Sequence, residues 1–205
     1  MMNSYKDLFE KNMYVYLPGF LDADTVDTIS RYFEYSINSR NHGWVEDSKD
    51  VNNDIISKFS KYGDPLIDVV LRNSTKEIES VAGKELLPTY SYSRIYRSGD
   101  ELKKHTDRVS CEYSVTINIA SRGTSVWPVY MKAPGCEVSR YTLEPGDAII
   151  YKGCEVEHWR EKMSDSDINV QIMLHYVDKY GLYANNKWDG RPSLGLPAET
   201  SYFRR

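Results

Sequence analysis

From Leu87 to about Asp178 the chain is a succession of short segments rich in β-branched and aromatic residues: TYSYSRIYR, EYSVTINIA, SVWPVYMK, EVSRYTL, DAIIYKG and NVQIMLHYV. Gly, Pro, Ser and Asp separate them. Several short strands at such spacing indicate a sandwich or a small barrel, because short strands are stable only when they close on one another. This run constrains the fold more than any other part of the sequence. It predicts a mainly β protein with an antiparallel core.

The residues before the run predict a different kind of structure. MYVYLPGF, residues 13–20, alternates apolar and polar and ends at Pro18-Gly19, so it reads as a strand running into a turn. Asp22 or Asp24 can cap a helix over roughly 24–38, with Val26, Ile29, Phe33 and Ile37 on one face. Residues 39–54 are polar and irregular and read as a loop. A second helix is expected after Asp64-Pro65, since Pro suits the first helical position, and Gly83 is its expected stop. Leu66, Val69, Val70, Ile78 and Val81 are expected to form its buried side. The layout is therefore a single domain, 1–205: a strand and scaffold helices over 1–86, the β core over 87–178, and an irregular tail over 179–205.

Composition removes several classes of function. Lys and Arg number 26 against 30 Asp and Glu, for a net charge of −4, which argues against a general nucleic-acid binder. The three cysteines, Cys111, Cys136 and Cys154, show no CxxC spacing, so neither a disulfide scaffold nor a zinc ribbon is indicated. No apolar stretch is long enough to span a membrane, and the opening MMNSYKDLFEKN has no apolar signal core. A reducing, cytoplasmic setting is the expectation. GxGxxG after a strand, GxxxxGK[ST], HExxH and GxSxG are all absent.

Chemistry concentrates in few residues. There are four histidines: His42, His105, His158 and His175. His105-Thr106-Asp107 follows the turn Arg97-Ser98-Gly99-Asp100 and is read as leading into a strand. In extended backbone, residues i and i+2 point to one side, so His105 and Asp107 can offer an imidazole and a carboxylate to one metal. His158, at the end of DAIIYKGCEVEH read as one strand, is the best candidate for a second imidazole. Two His and one carboxylate on one face of an octahedron form the facial triad of non-heme Fe(II) oxygenases.

The pieces YSRIYRSGDELKKHTD, SVTINIA, LEPGDAIIY, EVEHWRE and NVQIMLHY together resemble the Fe(II)- and 2-oxoglutarate-dependent oxygenase superfamily, in its prolyl-hydroxylase-like branch. The opening YVYLPGFLDADTVDTI resembles the strand and helix that begin many such enzymes. The resemblance implies a double-stranded β-helix (jelly-roll, cupin-like) core. It implies His105, Asp107 and His158 as iron ligands, with Fe(II) as metal and 2-oxoglutarate and O2 as cosubstrates. The implied activity is a dioxygenase, a hydroxylase of a peptidyl residue or small molecule, that converts 2-oxoglutarate to succinate and CO2.

One part of the pattern departs from the family. An Arg or Lys on the strand after the second His usually holds the distal carboxylate of 2-oxoglutarate, yet SDSDINVQIMLHY contains no basic residue. Arg160 shares a side with His158 if the strand runs on, and a guanidinium can fork onto a carboxylate, so Arg160 is one candidate anchor. Arg94 is the competitor, and pairing of Arg160 with Glu157 or Glu161 at the surface is the structural alternative. Asn118, Tyr92, Tyr96 and Gln171 are candidate polar helpers. Trp127 can wall a substrate mouth or pack in the core. Lys103, Lys104 and Arg108 can draw in anionic groups or be solvated. His175 reads as a core histidine, and Cys154, by parity with His158, as packing. Loops 39–54 and 121–139 are candidate lids. The absent basic residue keeps open a cupin-like isomerase or lyase that needs no cosubstrate. A non-enzymatic jelly-roll binding module is the third reading.

Overall fold

A computed structural model describes residues 2–38, 55–56, 59–123, 127–164 and 168–196. In chain order it contains α1 (Met2–Asn12), β1 (Tyr14–Leu17), α2 (Ala23–Asn38), β2 (Ile55–Ile56), β3 (Phe59–Tyr62), α3 (Pro65–Ala82), β4 (Leu86–Arg97), β5 (Glu101–His105), β6 (Tyr113–Arg122), β7 (Val129–Lys132), β8 (Ser139–Tyr141), β9 (Ala148–Lys152), β10 (Glu157–Arg160) and β11 (Ile168–Asp178). Helix α1 was not anticipated. It is polar along its length, with Phe9 buried and Leu8 exposed, so no apolar stripe marks it. It ends at Met13, whose φ of 65° turns the chain into β1.

The helix ends follow local chemistry. Asp22 accepts from the Thr25 N–H at 2.8 Å at the head of α2. Asp64 accepts from Leu66 N at 2.9 Å at the head of α3, Pro65 opens that helix, and Gly83 closes it at φ 67°. The buried side of α3 differs from the expected one. Ile67, Leu71, Ser74 and Ile78 are buried together with Val70 and Val81, whereas Val69 is 53% exposed and Leu66 only partly covered. Positions 67, 71, 74 and 78 repeat at four and three and so share a face; Val69 lies about 200° around the helix from Ile67. On α2, Ile29 and Phe33 are buried as expected; the side chain of Ile37 and the loop 39–54, with His42, lie outside the described residues.

Among the described residues the strands form two antiparallel sheets. One has the order β1-β9-β6-β11-β4-β3, the other β2-β5-β10-β7-β8. From β4 to β11 the chain passes back and forth between them, with only the hairpin β7–β8 keeping two successive strands in one sheet, and this is the winding of a double-stranded β-helix. The outer face of the six-stranded sheet packs on the helices: Val115, Ile117, Ile119, Ile150, Ile172, Leu174 and Tyr176 meet Phe9, Ile29, Phe33, Ile67, Leu71 and Ile78. The alternate residues of the same strands face the space between the sheets. Cross-strand register sets them in rows, with Gln171 opposite both Asn118 and Arg94, and His175 opposite Ser114.

Four of the expected strands are altered. DAIIYKGCEVEH is two strands, β9 and β10, in different sheets, because the chain turns at 153–156 with the Glu155 and Val156 N–H groups donating to the carbonyl of Lys152. Cys154 sits in that turn, half-exposed, so its supposed parity with His158 has no meaning. His105 and Asp107 close a strand instead of opening one: β5 ends at His105, a 3₁₀ turn spans Val109–Cys111, and β6 starts at Tyr113. Among the described residues SVWPVYMK and EVSRYTL are strand only over β7 and β8, and Pro128 falls just before β7 where a missing N–H costs no ladder bond. After β11 the described tail, to residue 196, is irregular, with 3₁₀ turns within Ala184–Gly190 interrupted at Lys187–Asp189. No described helix is long and apolar enough to cross a membrane.

Candidate metal centre

The register of β10 against β5 sets His158 directly opposite His105, with ring centroids 4.3 Å apart. Asp107, two residues beyond, folds back so that Oδ1 lies 3.6 Å from His105 Nε2 and 3.5 Å from His158 Nε2. The three ligand atoms lie within 4.8 Å of one another. His158 is buried, and His105 and Asp107 are partly open.

Each member is oriented by a second contact. His105 Nδ1 is 2.8 Å from the carbonyl of Lys103, and His158 Nδ1 is 3.1 Å from that of Val156. A carbonyl only accepts, so both Nδ1 atoms carry the proton, which leaves both Nε2 atoms, facing Asp107, as the ones able to bind a metal. Ser114 Oγ donates to Asp107 Oδ2 at 2.7 Å, which leaves Oδ1 for the shared centre. The Asp107 N–H is held by the Gly153 carbonyl at 2.8 Å. Burial pushes the Asp107 carboxyl up, but the neighbouring His158 and His105 outweigh it and hold the group well below the ordinary range. Tyr151, whose ring stands 4.7 Å from that of His158, is driven far above the usual phenol range by burial and by the Asp107 charge. It is a neutral donor beside the centre. This donor set suits a divalent first-row metal: two neutral imidazoles and one carboxylate, with lone pairs converging.

Two guanidiniums are buried, one on β10 with His158 and one on β4. Arg160 is 3% exposed and projects from β10 on the same side as His158. Its Nη1 donates to the Trp127 carbonyl at 2.8 Å and its guanidinium lies 4.7 Å from the Trp127 ring, while Nη2 has no partner. The surface pairing with Glu157 or Glu161 does not occur. Glu157 pairs with Lys104, and Glu161 accepts from Trp159 Nε1. Burial away from any described carboxylate lowers the Arg160 guanidinium to about 10, still charged at neutral pH. Arg94, 1% exposed, projects from β4 with Nη1 and Nη2 each 3.4 Å from the hydroxyls of Tyr96 and Tyr92. The Tyr96 and Trp127 rings, 4.7 Å apart, link the two arginines.

The remaining candidates are engaged with partners in the protein itself. Asn118 donates to the Leu143 carbonyl at 2.7 Å and accepts from Gln171 Nε2 at 3.2 Å. Lys104 pairs with Glu157, and Arg108 forms a two-point pair with Asp189 at 2.8 and 2.7 Å. His175 is buried, with Nδ1 2.9 Å from Ser114 Oγ, and burial lowers it to about 4, so it is neutral. Ser114, Tyr151 and Gly153 were missed as parts of the site. Ser114 and Tyr151 become visible only once the register of β6 against β9 and β11 is known.

No protein-family model matches the chain, and no curated protein matches it. Solved structures do. A Pseudomonas putida prolyl-4-hydroxylase superposes with a TM-score of 0.69 at 11% identity, over 87% of this chain and 99% of that one. The epimerase SnoN from nogalamycin biosynthesis, in complex with Fe3+, alpha ketoglutarate and nogalamycin RO, gives 0.69 at 12% identity, over 97% and 93%. A Trichoplax adhaerens prolyl hydroxylase, in complex with a peptide of the hypoxia inducible factor oxygen degradation domain, gives 0.69 at 12%, over 87% and 89%. The chain has the fold of the Fe(II)/2-oxoglutarate oxygenases, prolyl hydroxylases among them.

Proposed function

We propose that the chain is an Fe(II)- and 2-oxoglutarate-dependent dioxygenase, a hydroxylase of a peptidyl residue or a small molecule. The observation that carries this reading is the convergence of His105, Asp107 and His158, each aimed by its own hydrogen bond, at one end of a double-stranded β-helix cavity. His105 and His158 would hold the metal through Nε2 and Asp107 through Oδ1. Iron loaded with 2-oxoglutarate and O2 supplies an oxidant able to abstract a substrate hydrogen, the cosubstrate leaving as succinate and CO2.

The chain's own residues bind and orient. Arg160 takes the distal carboxylate of 2-oxoglutarate: it is buried, charged, on the His158 side of β10, and keeps an unused N–H donor. Two residues along a strand span roughly 6.6 Å, a reach that suits a five-carbon diacid lying between the triad and the guanidinium. Arg94 is the second reading for this role, supported by its equal burial and by its place opposite Gln171 on β11, the strand that lacks a basic residue. Tyr96, Tyr92 and Asn118 shape the cosubstrate chamber between them. Trp127 walls the Arg160 side.

Anaerobic titration with Fe(II) and 2-oxoglutarate tests the reading. A weak visible charge-transfer band is expected in the wild type and not in His158→Ala; its absence from folded wild-type protein contradicts the proposal. Succinate formation separates it from a cupin-like isomerase or lyase, which produces none. For the anchor, Arg160→Ala is expected to weaken 2-oxoglutarate binding by about tenfold to a hundredfold, the worth of one charge-assisted contact. An unchanged dissociation constant there, with a loss in Arg94→Ala, transfers the role to Arg94.

A further inference from the structure

Sharing Asp107 with the triad is a second convergence of donors. A carboxylate oxygen of Asp107, Cys111 Sγ and an imidazole nitrogen of His175 lie within 4.8 Å of one another. Cys111 and His175 are 2% and 5% exposed. They reach the same spot from different elements, Cys111 from the 3₁₀ turn before β6 and His175 from β11. We propose that Asp107, Cys111 and His175 form a second cation site that takes a soft or borderline divalent ion such as Zn(II) or Cd(II) and shares its carboxylate with the triad.

The donor chemistry separates the two sites. The triad offers two nitrogens and an oxygen; this set replaces one nitrogen by sulfur, which favours softer metals. Ligand atoms around a tetrahedral ion lie roughly 3.3–3.8 Å apart given metal–ligand distances near 2.0–2.3 Å, so the set closes by movements of about 1 Å. Ser114 Oγ now stands between Asp107 Oδ2 and His175 Nδ1, at 2.7 and 2.9 Å. A cation there takes over the bridge that the hydroxyl makes. On binding, the Cys111 S–H bond breaks, its proton passes to solvent, and a sulfur–metal bond forms. One thiolate, one carboxylate and one divalent ion sum to zero, so the buried site carries no net charge when filled. The Tyr90 hydroxyl, 3.0 Å from Cys111 Sγ, can donate to the thiolate. Because Asp107 belongs to both sets, an ion here competes with one held by His105 and His158; that consequence alone rests on the iron reading above.

Cadmium is the probe, since a thiolate-bound Cd(II) absorbs in the ultraviolet. Cys136 is exposed and Cys154 partly so, and both are changed to serine so that only Cys111 can report. In this Cys136→Ser/Cys154→Ser protein, Cd(II) is expected to produce the absorption of one thiolate per chain. His175→Gln in the same background is expected to weaken cadmium binding roughly tenfold or more, the cost of losing one ligand. His105→Ala in that background, which disables the triad, is expected to keep the band. No band in the background protein overturns the proposal, as does a band that survives Cys111→Ser. Loss of the band in His105→Ala also overturns it, since the cysteine would then only report an ion at the triad. Near-ultraviolet circular dichroism checks that each variant is folded, and the background measurement decides without any change at Cys111. The iron reading can fail in the anaerobic titration while the cadmium band remains.

Discussion

A methyl group at Gly153 would overlap the carbonyl oxygen of Cys111 and stand 2.7 Å from Asp107 Oδ2 and 2.8 Å from Ser114 Oγ. Those atoms are backbone or are held in hydrogen bonds, so none can yield cheaply. The residue also anchors the Asp107 N–H through its own carbonyl. Gly153→Ala is therefore expected to destabilise the fold by about 1–3 kcal/mol, the usual cost of overpacking, and to lower metal affinity more than stability. Chemical denaturation and Co(II) titration of the same preparation check both. This contact was illegible in the sequence, where GCEV reads as the middle of an apolar strand. The triad was legible because an HxD spacing, and a later His flanked by strand residues, are local patterns. What orients the triad was not: Ser114 and His175 lie 61 positions apart and meet only through β6–β11 pairing.

Two elements support the site from outside the cavity. Helix α3 backs the six-stranded sheet with Leu71 and Ile67 fully buried, while Val69 points to solvent. Leu71→Ala is expected to cost about 2–5 kcal/mol and Val69→Ala less than about 0.5 kcal/mol, measured by urea unfolding. Equal losses would mean the helix is rotated. The expected face held at Val70, Ile78 and Val81 but included the exposed Val69 and omitted Ile67 and Leu71, because apolar residues on both sides of a helix leave its rotation open until its partner sheet is known. The segment after β11 is the second support. Trp188 and Asp189 hold φ values of 58° and 54°, a left-handed conformation that costs such residues roughly 1–2 kcal/mol each. Arg108 and Tyr62 repay it by gripping the Asp189 carboxylate, Tyr62 from 2.6 Å. Burial raises that carboxyl, but hydrogen bonds from Arg108, Tyr62 and Ser110 outweigh it and bring it from 3.8 to about 2. A depressed carboxylate stabilises the fold above its ordinary value near 3.8 and loses that contribution as pH falls toward 2. Asp189→Asn is expected to remove about 1–2 kcal/mol at neutral pH and to flatten the stability profile between those limits. Denaturation at stepped pH reads this directly.

At the scale of the molecule, one face of the large sheet serves packing and the other serves the site. The apolar face was readable as alternation in EYSVTINIA and NVQIMLHYV. The same alternation leaves Ser114, Asn118, Gln171 and His175 between the sheets, buried and hydrogen-bonded to one another rather than packed as an apolar core. The proposed activity predicts that its metal and cosubstrate stabilise the fold. Metal and 2-oxoglutarate, each at about a hundred times its dissociation constant, are expected to add about 2.7 kcal/mol apiece, a rise in Tm of roughly 5–10 °C for each in a chain this long. Thermal scans with Mn(II) and 2-oxoglutarate check it; a rise with succinate equal to that with 2-oxoglutarate would contradict specific filling. The paired guanidiniums were partly legible, since Arg160 and Arg94 stood out as the basic residues of strand segments, but that both are buried depends on Trp127 and Tyr96 closing over them.

Arg108 and Asp189 are separated by 81 positions, and the one immediately follows the carboxylate of the triad. The pair therefore tethers the loop that carries Asp107 to the segment after β11. Loosening that tether is expected to free the carboxylate of the candidate centre before it disturbs the apolar packing of the sheet.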